Sequence, residues 1–326
     1  MFKIVTYVLL SACLVYAKDT VLKLSHQFPG GGKDVRDQMV RIVADEVEKA
    51  NVGLKIKIYP SKSLFKPKEQ WPAIVKGRLD MTALPLDYAG GRHPEFSATL
   101  MPGLIKNHDH AARMNDSEFM NDIKAVINKA GAKVITDSWL AGGFVSKKNC
   151  ILNPEDIEGQ VTRAAGKNFE RMLIGAGASI SSMSSSEIYT AMQTGVLDAA
   201  NTSSGSFVSY RIYEQAKCLT APGENALWFM YEPILISTKS WNKLNKAQQD
   251  ALTKAGEVAE KYFEKEAKSL DEKLVESFKK AGVDVVYMSN EQADKWKKIA
   301  EKTSYKMFAD TVPMGAELIR KAKLVD

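Results

Sequence analysis

Apolar and polar side chains alternate through residues 20–27 (TVLKLSHQ), the two-residue period of a half-buried strand. Pro29 and the glycines at 30–32 break the run. Residues 34–51 then place Val35, Met39, Ile42, Val43 and Val47 on one face of a helix. Alternation returns at 54–59 (LKIKIY). A helical stretch at 67–76 ends at Gly77, and 79–84 (LDMTAL) reads as a buried strand. This strand–helix–strand–helix–strand order predicts a parallel sheet covered by helices.

The pattern then repeats. A helix over 116–130 precedes strands at 134–136, 142–147 and 161–164, a helix at 167–174 and a strand at 179–182. Ser184 with Glu187 three residues on is a capping box, opening a helix that stops at Gly195 and feeds a strand at 197–201. Two such units in succession predict two lobes and a cleft. After a strand at 234–237, residues 243–281 are almost continuously helical, with Leu252, Ala255, Val258, Tyr262 and Phe263 keeping one face apolar. No heptad is sustained, so a helix that bridges the lobes is expected rather than a coiled coil. A strand at 283–288 and two further helices finish the chain. No low-complexity linker separates the halves, so ordinary strands or helices must double as hinges.

The 326 residues carry 45 Lys plus Arg against 39 Asp plus Glu, a net charge of +6, with 45% apolar residues. That much apolar material excludes a mainly disordered chain. The mild surplus without basic blocks argues against nucleic-acid binding. The one long apolar run, at the N-terminus, is too short to span a bilayer. Residues 1–17 (MFKIVTYVLLSACLVYA) read as a secretory signal peptide, cleaved between Ala17 and Lys18. Cys13 also loosely fits a lipoprotein acceptor, but cutting there would leave an unusually short signal. The mature chain keeps Cys150 and Cys218, which an exported protein can bridge or bury as separate thiols; a structural disulfide is the reading adopted.

The sequence holds no G-x-S-x-G elbow, no H-E-x-x-H and no phosphate loop. Gly30–Gly32 could present backbone N–H groups to an anion, or serve only as a flexible turn at a cleft edge. In His108-Asp109-His110 the two histidines diverge, so a metal pair is not expected; Asn107 or Asp109 reads as a helix cap beside surface histidines. His26 and His93 stand alone. With no nucleophile beside a base, neither an enzyme nor a cofactor is expected. Two segments stand out. Residues 156–163 (DIEGQVTR) deliver Arg163 to the end of a strand, before the small-residue turn Ala164-Ala165-Gly166. Ligands of open parallel sheets bind beyond those strand ends, and a guanidinium there offers a planar fork to a carboxylate. A solvated strand-end arginine is the alternative. Residues 186–201 form a helix, a glycine stop and a strand ending in Asn201, whose amide both donates and accepts.

Together these segments resemble the substrate-binding subunits of TRAP (tripartite ATP-independent periplasmic) transporters, the C4-dicarboxylate-binding family. Tyr59-Pro60-Ser61 with Leu64, Glu69 and Lys76-Gly77-Arg78-Leu79-Asp80-Met81 are similar to one family stretch, and Glu158-Gly159 through Arg163 to a second. SEIYTAMQTGVLD at 186–198 is similar to the family's most specific signature, and the likeness covers nearly the whole mature chain. The resemblance implies a two-lobed α/β periplasmic binding protein fold, type II-like, each lobe a sheet flanked by helices, with a long lobe-spanning helix. Lobe I would take 18–140 plus about 229–265, and lobe II 141–228 plus about 266–326. It further implies a periplasmic monomer that closes on a small organic acid (di-, hydroxy-, keto- or aromatic). That acid would pass to a small and a large membrane subunit, driven by an ion gradient. Arg163 matches the family's carboxylate clamp and Asn201 its following asparagine.

Some positions depart. Residues 139–144 (WLAGGF) stand where many members carry an Arg or another polar residue, Ala164-Ala165 replace a usual Val-Pro, and Leu64-Phe65 replace Leu-Gly. These changes tilt the pocket towards aromatic and small residues and away from a plain C4-dicarboxylate. Trp139, Phe144, Trp228, Phe229 and Tyr231 are candidate aromatic walls, with Ser203, Ser204, Ser206 and Glu232 as candidate polar contacts. A sensor domain binding the same acid for a signalling receptor would carry the same pattern.

Overall fold

The computed structural model describes residues 19–325. The expected signal peptide, Cys13 included, lies outside the described residues. The first sheet has the strand order β2-β1-β3-β11-β4: β1 (Thr20–Ser25), β2 (Leu54–Tyr59), β3 (Met81–Ala83), β4 (Ala132–Thr136) and, from far along the chain, β11 (Ile234–Ser237). β1 runs parallel to β2 and β3, as the helix-linked order requires. β11 is antiparallel to both its neighbours, so the sheet is mixed rather than wholly parallel. Helix Val35–Lys49 covers this sheet with Met39, Val40, Val43 and Val47 fully buried, and Asp34 caps it by accepting the Arg36 N–H.

The second sheet has the order β12-β9-β5-β8-β6-β7, with β10 on β5. It contains β5 (Trp139–Ser146), β6 (Val161–Ala164), β7 (Ser179–Ser182), β8 (Ala199–Ser203), β9 (Cys218–Thr220), β10 (Trp228–Tyr231) and β12 (Asp284–Val286). β6 is parallel to β7 and β8, whereas β5 is antiparallel to β8, β9 and β10. β5 is buried along its whole length, which explains why alternation did not reveal its first three residues. β9 and β10 likewise have no exposed face and give no alternating signal. Cys150 and Cys218 form a disulfide, Cα–Cα 5.1 Å, that ties β9 to the segment after β5.

The chain crosses between the sheets through Asp137-Ser138 and again through Glu232-Pro233. The two crossings are hydrogen-bonded to each other, Glu232 N–H to Ser138 O at 2.8 Å and Ser138 Oγ to Glu232 O at 2.5 Å. Helix Lys246–Lys280 is the third link. Its Leu252, Ala255, Ala259, Phe263, Ala267 and Leu270 join the first sheet's core, while Leu274 and Phe278 pack with the second's. Gly256 lies so close to β4 that a Cβ would run into the Ile135 carbonyl. The helix is therefore a bridge, as expected.

Two boundaries differ from expectation. β10 belongs to the second sheet rather than opening the return to lobe I. Helix Gly315–Lys323, assigned to lobe II with the rest of the C-terminus, instead packs on helix Glu118–Ala130. Its Leu318 and Ala322 share a core with Phe119, Met120, Ile123 and Ile127, where their apolar stripe is buried. No helix among the described residues is long and apolar enough to cross a membrane.

Candidate functional site

Arg163 is the third residue of β6, flanked by β7 and β8, and is 1% exposed. Its Nε donates to Met183 O at 3.0 Å, Nη1 to Asn201 O at 2.8 Å and Nη2 to the Tyr88 hydroxyl at 3.0 Å. Tyr88 comes from the opposite lobe, in the 3-10 turn Leu86–Ala89 just past the carboxyl end of β3. Its hydroxyl also accepts the Ser185 N–H at 2.9 Å. The Asn201 amide donates to Arg163 O at 2.7 Å, so the two residues lock β6 to β8 in both directions. The Trp228 ring lies 5.9 Å from the guanidinium. Burial lowers the Arg163 pKa, and Tyr88, Glu232 and Asp87 offset this only in part.

Around this guanidinium several buried polar atoms lack a protein hydrogen-bond partner, Asn201 Oδ1, Trp228 Nε1 and Gln27 Oε1, and the buried Asp87 carboxylate has the Ser97 hydroxyl beside it but no ion pair among the described residues. Protein interiors leave few such atoms. Here they gather beside a buried charge. Outside it, a groove of about 400 Å³ runs between Lys62, Lys66, Lys68 and Glu69 on one lobe and Ser182, Met183, Ser184 and Glu187 on the other, so its lip is only mildly positive.

A second buried arginine crosses the cleft from the other side. Arg36, also 1% exposed, stands in the first turn of its helix and grips Asp34 with two bonds, Nε–Oδ1 at 2.8 Å and Nη2–Oδ2 at 2.7 Å. Nη1 reaches Glu232 Oε2 at 2.9 Å and Ser203 Oγ at 3.2 Å, Nη2 reaches Ser206 Oγ at 3.2 Å, and the Phe28 ring packs on the guanidinium at 3.8 Å. Burial opposes this charge, but Asp34 and Glu232 together outweigh it and hold the Arg36 pKa above its ordinary value. Beside it the Tyr210 hydroxyl donates to Gln27 O at 3.0 Å, again across the cleft.

The structure thus brings Arg163, Asn201 and Trp228 together and scatters the other candidates. Glu232, Ser203 and Ser206 are engaged by Arg36, and Ser204 donates to Asp271 Oδ1 of the long helix at 2.5 Å. Trp139 donates to Asn115 Oδ1 at 2.8 Å and packs on Tyr231, whose hydroxyl bonds Asp137, so both belong to the hinge. Phe144 packs against Phe169 and Trp296 inside lobe II, and Phe229 meets His108 edge-on. Hydrophobicity alone could not separate a cleft wall from a core wall. Asn107 caps its helix as expected, but His110 is buried, not on the surface, and its Nδ1 accepts the Lys106 N–H.

Sequence reasoning missed Gln27, Asp34, Arg36, Asp87 and Tyr88. An Asp-x-Arg at a helix start and an Asp-Tyr just past a strand end were the available signals. At the hinge, Glu260 of the long helix accepts the Asp137 N–H at 3.0 Å, beside the Lys124–Asp137 ion pair at 2.6 Å. Burial first, then the Asp137 charge, pushes Glu260 up to about 7. No group of three or more metal-capable side chains occurs among the described residues.

Two sheets hinged through short crossings and a bridging helix, closed over a buried arginine with unspent polar partners, define a solute-binding protein. The family model described as bacterial extracellular solute-binding protein, family 7 (DctP) matches residues 34–311, and the chain belongs to that family. It is 41% identical over 314 residues to a solute-binding protein of Albidiferax ferrireducens, covering 95% of this chain and 93% of that one. It is 28% identical over 283 residues to the sialic acid-binding periplasmic protein SiaP of Vibrio cholerae, covering 85% and 86%. A crystal structure of a TRAP periplasmic solute binding protein from Rhodoferax ferrireducens with bound malonate superposes with a TM-score of 0.90 at 40% identity, over 93% of this chain and 98% of that one.

Proposed function

We propose that the protein is the periplasmic receptor of a TRAP transporter. It captures a small organic acid by lobe closure and passes it, unaltered, to small and large membrane subunits. The observation that carries this reading is the buried Arg163 guanidinium, whose charge is disfavoured by burial and which keeps two N–H groups beyond the three used by Met183, Asn201 and Tyr88. A carboxylate supplies the missing counter-charge and accepts those N–H groups as charge-assisted bonds. The malonate of the Rhodoferax relative and the acid in the name of the Vibrio one support an anionic ligand. Asn201, Trp228 and Gln27 complete the pocket, and the first and second sheets form lobes I and II of a monomer.

A thermal-shift screen of di-, hydroxy-, keto- and aromatic acids should find one that raises the melting temperature, because binding stabilises the closed fold by mass action. Calorimetry on Arg163→Ala should then lose about 2–5 kcal/mol of binding free energy, ~30-fold to several-thousand-fold in Kd. Undiminished affinity in that variant would end the assignment.

A further inference from the structure

Arg163 accounts for the ligand's carboxylate; the remaining unspent atoms describe the rest of it. Asn201 Oδ1 is a committed acceptor, because the amide's other end donates to Arg163 O. Gln27 Oε1 is buried and unpaired as well, and the buried Asp87 carboxylate keeps lone pairs that the Ser97 hydroxyl does not fill, with Trp228 Nε1 as an unpaired donor beside Arg163. Asp87 is 5% exposed, on the same turn as Tyr88, and its carboxylate crosses to lobe II, where Gly166 makes room for it: a Cβ there would coincide with Asp87 Oδ2. We infer that the physiological ligand is a monocarboxylate that also carries a hydrogen-bond donor, whether hydroxyl, amide N–H or ammonium, and that Asp87 accepts from that donor. The inference rests on the carboxylate reading of Arg163 and narrows it.

The charges facing Asp87 agree. Arg163 and the Ser97 hydroxyl favour its ionised form, while burial and Glu170 oppose it and push its pKa up to about 6. At neutral pH it is therefore an anion, able to accept but not to donate. A ligand with a second carboxylate would meet that anion in a closed cleft and could bind well only when Asp87 takes up a proton. A ligand with a donor needs no such proton. The two classes thus respond to pH with opposite signs. Below about pH 6 a dicarboxylate gains affinity, and a donor-bearing monocarboxylate loses it.

Calorimetry with matched pairs tests this on the wild-type protein: lactate against propionate, pyroglutamate against cyclopentanecarboxylate, with malonate and succinate as dianions. At pH 7.5 the best binder should carry a donor and exceed its donor-free partner by at least ~100-fold, since sites built to bond a polar group discriminate by up to ~10⁴–10⁵. Asp87→Asn should shrink that ratio at least ~10-fold and leave malonate binding only the pH dependence of malonate's own second ionisation. If propionate, cyclopentanecarboxylate or malonate binds at pH 7.5 as tightly as the donor-bearing acids, while Arg163→Ala still abolishes binding, this inference falls and the receptor reading stands. If Arg163→Ala binds every acid as wild type does, the receptor reading falls first.

Discussion

Arg36 and Arg163 are equally buried and each bonds to the opposite lobe, yet their surroundings are opposite. Arg36 has two carboxylates, two serine hydroxyls and an aromatic face, and its charge is held more firmly than in water. Arg163 has two backbone carbonyls and a phenol, and burial weakens its hold on the proton. One guanidinium is ion-paired within the protein; the other's three hydrogen bonds go to neutral groups, with Asp87 and Glu232 acting on it only from a distance. A buried charge without a full counter-charge is costly, and a binding protein can place that deficit where its ligand will remove it. On the proposed function, Arg36 holds the lobes together and Arg163 awaits the carboxylate of the ligand.

The contrast can be broken in several ways. The largest effect is expected from Arg36→Met, which strands Asp34 and Glu232 in the interior. Chemical denaturation of the ligand-free protein should show a loss of about 3–5 kcal/mol. Arg163→Met should cost the ligand-free fold much less, about 1–2 kcal/mol, while removing tight binding of the acid. Equal losses of stability in the two variants would erase the distinction. Gly166→Ala comes next: its methyl must displace the Asp87 carboxylate, so the closed form should be disfavoured by about 1–3 kcal/mol, read as a weaker Kd with little change in ligand-free stability.

The smallest effect concerns the hinge beyond both arginines. With Glu260 held at about 7 in the folded protein, folding takes up a proton between the ordinary glutamate range and that value. Stability contributed by this group therefore falls as pH rises from about 4.5 towards 7. Melting temperatures measured across that window should decline less in Glu260→Gln, and an unchanged slope would show that Asp137 and Lys124 already neutralise the site.

Much of the fold was legible because its strands and helices alternate with clear periods. β2, β6, β7 and β11 fall where alternation or an apolar run placed them, and the bridging helix followed from a long periodic stretch without heptads. Strands buried on both faces, β9 and β10, carry no period to read. The return of the last helix to the first lobe depends on which of two apolar surfaces it meets, a tertiary choice. Within the candidate site, Arg163 stood out by motif and by its place near the end of β6; Asn201, expected to end a strand over 197–201, is instead the middle residue of β8, Ala199–Ser203. Arg36, Asp87 and Tyr88 did not stand out, because their roles arise only when the lobes meet: a helix-start Arg and a turn Asp look solvated until the facing lobe closes over them.

The first sheet is completed by β11, whose residues follow the whole of β5 to β10, all strands of the second sheet. Neither half of the molecule is thus a continuous stretch of polypeptide. During synthesis the N-terminal sheet must wait with a gap between β3 and β4 until some hundred further residues have emerged. The early segment cannot complete its own sheet before the late one arrives, so the two halves must be finished together.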